Sequence, residues 1–299
     1  MRTYNASASL RTALSKERHL GKRIAFVPTM GNLHEGHLEL VRRAKRIADV
    51  VVVSIFVNPL QFGENEDLDA YPRTFAADRE KLFAEGTQYL FHPTVSEVYP
   101  DGMDAQTIVH VPKLGEKYCG ASRPGHFDGV TTVVNKLFQL VQPDVAVFGQ
   151  KDFQQLAVIR KMTRDLCMPI EIVGVPTVRA EDGLALSSRN GFLQSKERQA
   201  APRLQRVLQN CRDAIASGFD SYQALERYAK EEIKSAGLIP DYFAICDAKT
   251  LQTVTIQTEE IVILAAAFLG STRLIDNVTL SVDPANDWDY LQVQQQPLQ

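Results

Sequence analysis

The sequence predicts an α/β fold, in which a helix-covered parallel sheet is followed by a smaller α+β unit with an antiparallel sheet. Three observations carry this expectation. Short apolar runs alternate with helical spacings up to residue 175. The run Val50–Phe56 is almost entirely β-branched and apolar, the pattern of a strand buried on both faces. Beyond residue 176, three strand-like runs follow one another with no helix between them.

In chain order, Ile24–Val27 reads as a strand and Gly36–Ala48 as a helix. Val50–Phe56 is the next strand, Thr74–Glu85 is helical with Asp78 inside it, and Gln88–Phe91 is a short strand. Apolar residues at 130, 133, 134, 137, 138 and 141 predict a helix over Val130–Leu140. Val145–Phe148 is a strand, Asp152–Leu166 a helix and Ile170–Val175 a strand. Parallel sheets of this kind bind ligands beyond the carboxyl ends of their strands. The pattern changes near Pro176. Glu181-Asp182-Gly183 predicts a turn between two short strands within Val178–Leu186. Helices over Ser195–Ser217 and Ser221–Ala236 follow, then strands Tyr242–Asp247, Glu260–Leu269 and Thr272–Val282. The expected organisation is therefore residues 1–176, residues 177–283, and a polar, frayed tail over 284–299.

The bulk properties narrow the function. The 299 residues are 44% hydrophobic and 23% charged, with a formal net charge of −3. That balance gives no electrostatic footprint for nucleic acid or an anionic membrane. Met1–Asn5 is polar, so no signal peptide is expected, and the longest apolar run, Ile261–Leu269, is too short to span a bilayer. Cys119, Cys167, Cys211 and Cys246 are widely separated, which fits reduced thiols and a cytoplasmic location. Neither CxxC nor HExxH occurs, and no resident metal site is expected.

Four segments could carry chemistry. Pro28–His37 (Pro-Thr-Met-Gly-Asn-Leu-His-Glu-Gly-His) empties a strand into a glycine turn and opens a helix with His34 and His37 on one side. Helix N-termini hold phosphate, although on residue types alone the pair reads equally as cap or core. Asn58-Pro59-Leu60-Gln61 ends the second long strand and offers two amides, or closes it as a plain turn. Gly149-Gln150-Lys151-Asp152 places a lysine where a helix dipole disfavours it by roughly 0.3–1 kcal/mol, a sign that a bound anion would reverse; a solvated surface pair is the alternative. Leu186-Ser187-Ser188-Arg189-Asn190 offers hydroxyls and a guanidinium, as a phosphate clamp or as an ordinary loop. Arg123-Pro124-Gly125-His126-Phe127 adds a cation in a long irregular segment. His92, His110 and His126 read as structural or surface residues.

In this order and spacing, Pro-Thr-Met-Gly-x-Leu-His-x-Gly-His, Phe-Val-Asn-Pro-x-Gln-Phe, Arg-Pro-Gly-His-Phe, Lys-Asp-Phe-Gln-Gln and Ser-Ser-Arg-Asn resemble the pantoate–β-alanine ligase (pantothenate synthetase) family over about residues 1–282. That family lies within the HxGH nucleotidyltransferase-like superfamily. The resemblance implies a Rossmann-like ATP- and pantoate-binding domain over 1–176 and a lid over 177–283. It implies a two-step ligation: pantoate attacks the α-phosphorus of ATP, then the β-alanine amine displaces AMP. Met30, Gly31, Asn32, Leu33, His34, Glu35, Gly36 and His37 would bind ATP, with an acid role for His37. So would Gly149, Gln150, Lys151, Asp152, Val178, Leu186, Ser187, Ser188 and Arg189. Gln61 and Gln155 would hold pantoate, and Asn58 and Arg123 would lie near the β-alanine approach. Mg²⁺ would bridge the phosphates, and the assembly would be a homodimer. Leu186 and Gln150 stand where many members have methionine and glutamate.

Adenylation needs positive charge where the α-phosphate becomes five-coordinate, and Lys151, His34, His37 and Arg189 are the expected sources. The competing expectations are another HxGH adenylyltransferase, acting on a phosphopantetheine-like or nicotinamide mononucleotide substrate, and a non-catalytic nucleotide-binding protein. Glutamines at 61 and 155 favour a neutral hydroxyl-bearing acid over a phosphate.

Overall fold

Val50–Ile55 is buried at every position, so it can only be a central strand of a sheet covered on both faces. The computed structural model, which describes residues 1–63, 66 and 68–282, places it there. Six strands, β1 (Arg2–Tyr4), β2 (Ile24–Thr29), β3 (Val50–Ile55), β4 (Tyr89–Phe91), β5 (Val145–Gly149) and β6 (Glu171–Val175), form one parallel sheet in the order β1-β4-β3-β2-β5-β6. Helices α1 (Ser7–His19), α2 (Glu35–Ile47), α3 (Phe75–Ala84), α4 (Val95–Val98), α5 (Cys119–Ser122), α6 (His126–Val141) and α7 (Phe153–Asp165) connect them. From β2 the chain steps outward to β3 and β4, whereas β5 and β6 lie on the other side. The strand order therefore reverses between β2 and β5, which pair at Ala25↔Val145 and Phe26↔Ala146. Such a switch point opens a crevice at the carboxyl ends of its two strands. Those ends carry Met30–His37 and Gln150–Asp152.

The second unit is a meander of β7 (Ile239–Asp247), β8 (Glu260–Leu269) and β9 (Thr272–Ser281), antiparallel in the order β7-β8-β9. Alternate residues of β8 (Ile261, Ile263, Ala265, Ala267, Leu269) share one core with Leu204, Leu208 and Cys211 of a helix over Arg203–Ala216 and Leu225, Ala229 and Ile233 of a helix over Tyr222–Ser235. A buried ion pair ties the 179–185 turn to this sheet. Arg179 grips the Asp276 carboxylate at 2.6 and 2.9 Å and donates to the Gly183 carbonyl at 3.1 Å.

The structure departs from the sequence expectations at several points. β1 and α1 were not expected: β1 is a three-residue edge strand of polar residues, and α1 buries only Leu10, Ala13 and Leu14. The helix expected from Val130 begins at His126, because Gly125 supplies a left-handed N-cap at φ +79°. The long helix expected over Ser195–Ser217 is two, α8 (Ser195–Ala200) and α9 (Arg203–Ala216), separated at Ala201-Pro202; α10 is Tyr222–Ser235. The expected hairpin at 178–186 reduces to one bridge, Arg179↔Ala185. β7 starts three residues early, with a bulge between Pro240 and Tyr242. The described chain divides into Met1–Val178 with Leu186–Ser188, and Arg179–Ala185 with the described residues from Arg189 onward. The division thus falls two residues past 176, and residues 186–188 belong to the first unit. The tail expected to fray, 284–299, lies outside the described residues.

Candidate active site

The turn after β2 is built by its neighbours. Thr29 anchors its hydroxyl on the Ser54 carbonyl at 2.7 Å and receives the Gly31 N–H at 3.2 Å. Gly31 (φ +85°) and Asn32 (φ +49°) then take left-handed conformations in succession. The N–H groups of Asn32 and Leu33 converge on the two carboxylate oxygens of Asp78, at 2.8 and 2.7 Å. Asp78 lies in the first turn of α3, is fully buried, and also receives the Thr74 hydroxyl at 3.0 Å. Lys81, one turn on, donates to the Leu33 carbonyl at 2.6 Å. The backbone N–H groups of Asn32 and Leu33 are thus committed to Asp78.

His34 is the N-cap of α2. Its Nδ1 accepts the Gly36 N–H at 3.2 Å, while His37 Nδ1 accepts the His34 N–H at 3.3 Å. The rings lie 4.1 Å apart between centroids. A ring nitrogen that accepts a hydrogen bond carries no proton, so each neutral imidazole holds its hydrogen on Nε2. Burial, reinforced by the Lys151 ammonium, holds His34 down at about 4. Burial drives His37 well below the ordinary histidine value, with His34, Lys151 and Lys81 adding to it. The expectation that both histidines supply positive charge is thereby corrected for the free protein: they are neutral Nε2–H donors. Gly36 is required for this cap, since a Cβ there would sit 2.9 Å from His34 Cε1.

At the end of β5 the chain makes a 3₁₀ turn, Gln150–Asp152, before α7 begins at Phe153. Lys151 therefore precedes the helix rather than opening it. Its Nζ lies 3.8 Å from Asp152 Oδ2, and its charge bears on both histidines. Val178 faces Gly36, within 3.9 Å of a Cβ built there. The Leu186 N–H bonds the Val178 carbonyl at 3.0 Å, and the Ser188 hydroxyl bonds the Asn32 carbonyl at 3.1 Å. The first unit thus gathers Met30–His37, Lys151, Val178 and Leu186–Ser188. Arg189 is assigned to the second unit.

The amides form a separate network. The Tyr99 hydroxyl, whose ionisation burial pushes up, donates to Asn58 Oδ1 at 2.7 Å. Asn58 Nδ2 is thereby turned toward the Gly129 carbonyl (3.1 Å) and Gln61 Oε1 (3.3 Å). Gln61 Nε2 is left donating to the Met30 thioether at 3.0 Å, a weak acceptor that a carboxylate or hydroxyl outcompetes. Asn58 is 1% exposed and acts on Gln61 rather than facing outward. Gly129 allows α6 to reach this turn, since a Cβ there would lie 2.3 Å from the Leu60 carbonyl. Arg123 is engaged with both carboxylate oxygens of Glu66, with His126 Nε2 at 3.0 Å and with the Gln61 carbonyl at 3.4 Å. His126 also binds the Gln61 carbonyl, at 2.8 Å. Gln155 is half-buried in the first turn of α7, next to Gln154, which is buried and holds the Leu114 and Lys117 carbonyls at 2.9 and 2.7 Å.

Asp78, Tyr99 and Glu66 were missed as site-building residues. Asp78 offered one signal, an acidic residue in the first turn of a helix, but that is ordinary helix chemistry. Among the described residues no group of three or more His, Cys, Asp or Glu side chains is placed to hold a metal ion, and no helix is long and apolar enough to cross a membrane.

Comparison with known proteins identifies the family. The family model described as pantoate-beta-alanine ligase matches residues 2–279. The pantothenate synthetase of Pseudomonas fluorescens (strain Pf0-1) is 58% identical over 283 residues, covering 95% of this chain and 99% of the relative. The crystal structure of pantothenate synthetase from Thermus thermophilus superposes with a TM-score of 0.87 at 47% identity, covering 93% of this chain and 99% of that one. The pantoate-beta-alanine ligase of Francisella tularensis, solved in complex with beta-gamma ATP and beta-alanine, superposes with a TM-score of 0.76 at 32% identity, covering 95% and 100%. The chain belongs to the pantoate–β-alanine ligase family.

Proposed function

We infer that this chain condenses (R)-pantoate with β-alanine, using ATP, to give pantothenate, AMP and pyrophosphate through a pantoyl-adenylate. The observation that carries the reading is the meeting, at one sheet switch point, of two Nε2–H imidazoles after β2 and an ammonium after β5. A relative of the same fold, solved with beta-gamma ATP and beta-alanine, supports both substrates.

A carboxylate oxygen of pantoate attacks the α-phosphorus, and the bond to the bridging oxygen breaks as pyrophosphate leaves. The β-alanine amine, in its neutral form, then attacks the acyl carbon; AMP departs with the electrons of the carbon–oxygen bond, and the nitrogen gives up one proton to solvent as the amide forms. His34 and His37 are proposed to donate Nε2–H bonds to phosphate oxygens, and Lys151 to supply the charge. Gln61 and Gln155 are proposed to hold pantoate, Gln61 exchanging its thioether partner for a substrate oxygen. Gly149, Gln150, Asp152, Val178, Leu186, Ser187 and Ser188 are proposed to line the nucleotide site. Arg189 is proposed to reach it from the second unit, which would act as a lid that keeps water from the mixed anhydride. Hydrogen exchange with and without ATP tests the lid. Mg²⁺ is proposed to arrive on the ATP phosphates, as suits an ion that keeps several waters and takes few carboxylates. Homodimeric assembly is proposed from the family resemblance and a cytoplasmic location from the widely separated cysteines; sedimentation equilibrium tests the first and cell fractionation the second.

The decisive assay is pantoate-dependent ATP–pyrophosphate exchange, followed by AMP release on adding β-alanine. Exchange without β-alanine-driven AMP release would point to an adenylyltransferase. Nucleotide binding without exchange for any acid would leave only a binding protein.

A further inference from the structure

We propose that Asp78 is a positioning residue for adenylation: its buried carboxylate fixes the turn that aims His34 and His37. The proposal rests on the reading that these histidines meet ATP.

Two consecutive residues with left-handed backbone, Gly31 and Asn32, are followed by N–H groups at 32 and 33 that point to one spot. That arrangement is an anion-binding concavity of the kind that holds phosphate. Here the anion is the protein's own. Asp78 is 0% exposed and fills the concavity with both oxygens, at 2.7 and 2.8 Å. A Cβ on Gly31 would come within 3.2 Å of Asp78 Oδ2, so the carboxylate and turn fit closely. Thr74 orients the carboxylate from behind, and Lys81 holds the opposite side of the turn through the Leu33 carbonyl.

Leu33 precedes His34 directly. The His34 N–H binds His37 Nδ1, and the His34 carbonyl accepts from the N–H groups of His37 and Leu38 at 2.8 and 3.2 Å. Displacing residues 32 and 33 therefore displaces the cap and both rings together. Without the carboxylate, the N–H groups of Asn32 and Leu33 lose their acceptor, and the contacts that remain on the turn, from Thr29, Ser188 and Lys81, do not replace it.

The test uses Asp78→Asn, Asp78→Ala and Thr74→Val in the full chain. It reads exchange kinetics, thermal melting and ¹⁵N shifts of the His34 and His37 rings. Asparagine keeps the shape of aspartate, but its amide hydrogens face a backbone N–H. An acceptor role therefore makes Asp78→Asn as damaging as Asp78→Ala. We expect kcat to fall about 10²-fold in both, the loss typical of an ångström-scale misplacement. The KM for pantoate stays near its original value, and the histidine shifts lose the Nε2–H pattern. Thr74 is surface-exposed, so Thr74→Val folds even if the Asp78 variants do not; it should lower kcat about threefold to tenfold with a smaller shift change. Wild-type kcat in Asp78→Asn overturns the proposal, whether or not Asp78→Ala is impaired, because a space-filling role would then suffice. Unchanged histidine shifts in an inactive Asp78→Asn overturn it too, as does Thr74→Val with native kcat and shifts. A His37→Gln variant separates the two levels. If it retains exchange, the site reading falls; if it is inactive while Asp78→Asn is active, only the role of Asp78 falls.

Discussion

Replacing Gly36 by alanine tests the histidine cap more sharply than removing a histidine, because it leaves every proposed functional group in place. The added Cβ would lie 2.9 Å from His34 Cε1 and 3.0 Å from Nδ1. The imidazole is pinned by the Gly36 N–H, so it must rotate out of its cap. Losing an N-cap costs about 1 kcal/mol, and exchanging glycine for alanine within a helix returns up to about 1 kcal/mol. The two nearly cancel. With roughly 2–4 °C of melting temperature per kcal/mol for a domain of this size, the melt should move by no more than about 4 °C. Catalysis has no such compensation. One donor lost from a preorganised site costs about 2.7–4 kcal/mol, or 10²–10³ in rate. We therefore expect pantoate-dependent ATP–pyrophosphate exchange to fall about a hundredfold in a protein that melts normally. Exchange within about threefold of wild type would refute the argument that His34 must hold this rotamer.

Three further outcomes are expected. Lys151→Ala should nearly abolish exchange while circular dichroism and melting stay native; activity within about threefold would remove Lys151 from the chemistry. Tyr99→Phe leaves the Asn58 carbonyl oxygen without its donor and frees the amide to turn; the KM for pantoate should rise about tenfold with the KM for ATP unchanged, and equal rises in both would count against it. The third concerns pH. His34 and His126 are held at about 4 and His37 well below its ordinary value, all lower than in the unfolded chain. Their contribution to stability is therefore fully present above about pH 6.5 and is lost as pH falls toward 4, by up to about 1.4 kcal/mol per pH unit for each imidazole. Denaturant unfolding at pH 7.5, 6 and 5 should follow this trend, and His34→Gln should flatten it; parallel curves for the two proteins would contradict the assignment.

What the sequence made legible is what depends on residue type and spacing. The apolar strands, the glycine turn into His34-Glu35-Gly36-His37 and the lysine after β5 are of that kind; the strand order that sets β2 beside β5 is read from the structure. What it left illegible acts through backbone groups, which look the same at every position. Asp78 binds two N–H groups rather than a side chain, so nothing at residues 32 or 33 announces it. Tyr99 and Glu66 lie in segments with no periodicity to read, and their partners, Asn58 and Arg123, are distant in sequence. The apolar spacing Leu10, Ala13 and Leu14 of α1 was readable but sits among charged residues, and β1 is too short and polar to stand out. The charge of the histidines was also beyond sequence reach, because it is set by burial and by Lys151 and Lys81 brought near in the fold.

Capping and phosphate binding were rival readings of His34 and His37, yet the capping geometry is compatible with the proposed role, because it leaves both Nε2 atoms uncommitted to the cap. Each ring gives Nδ1 to the backbone at the start of α2, and this commitment is what leaves Nε2 carrying hydrogen. Two imidazolium charges 4.1 Å apart would repel by about 4 kcal/mol at an effective dielectric of 20, before any penalty for burial. Lys151 raises that cost further. The free site therefore holds its positive charge on the lysine and keeps the rings as directional donors, so that charge and direction come from different residues. On the proposed function, a phosphate bound beside them would change the sign of the local field. The same burial that keeps the rings neutral would then strengthen each bond they make to it, since less water would compete for the oxygens.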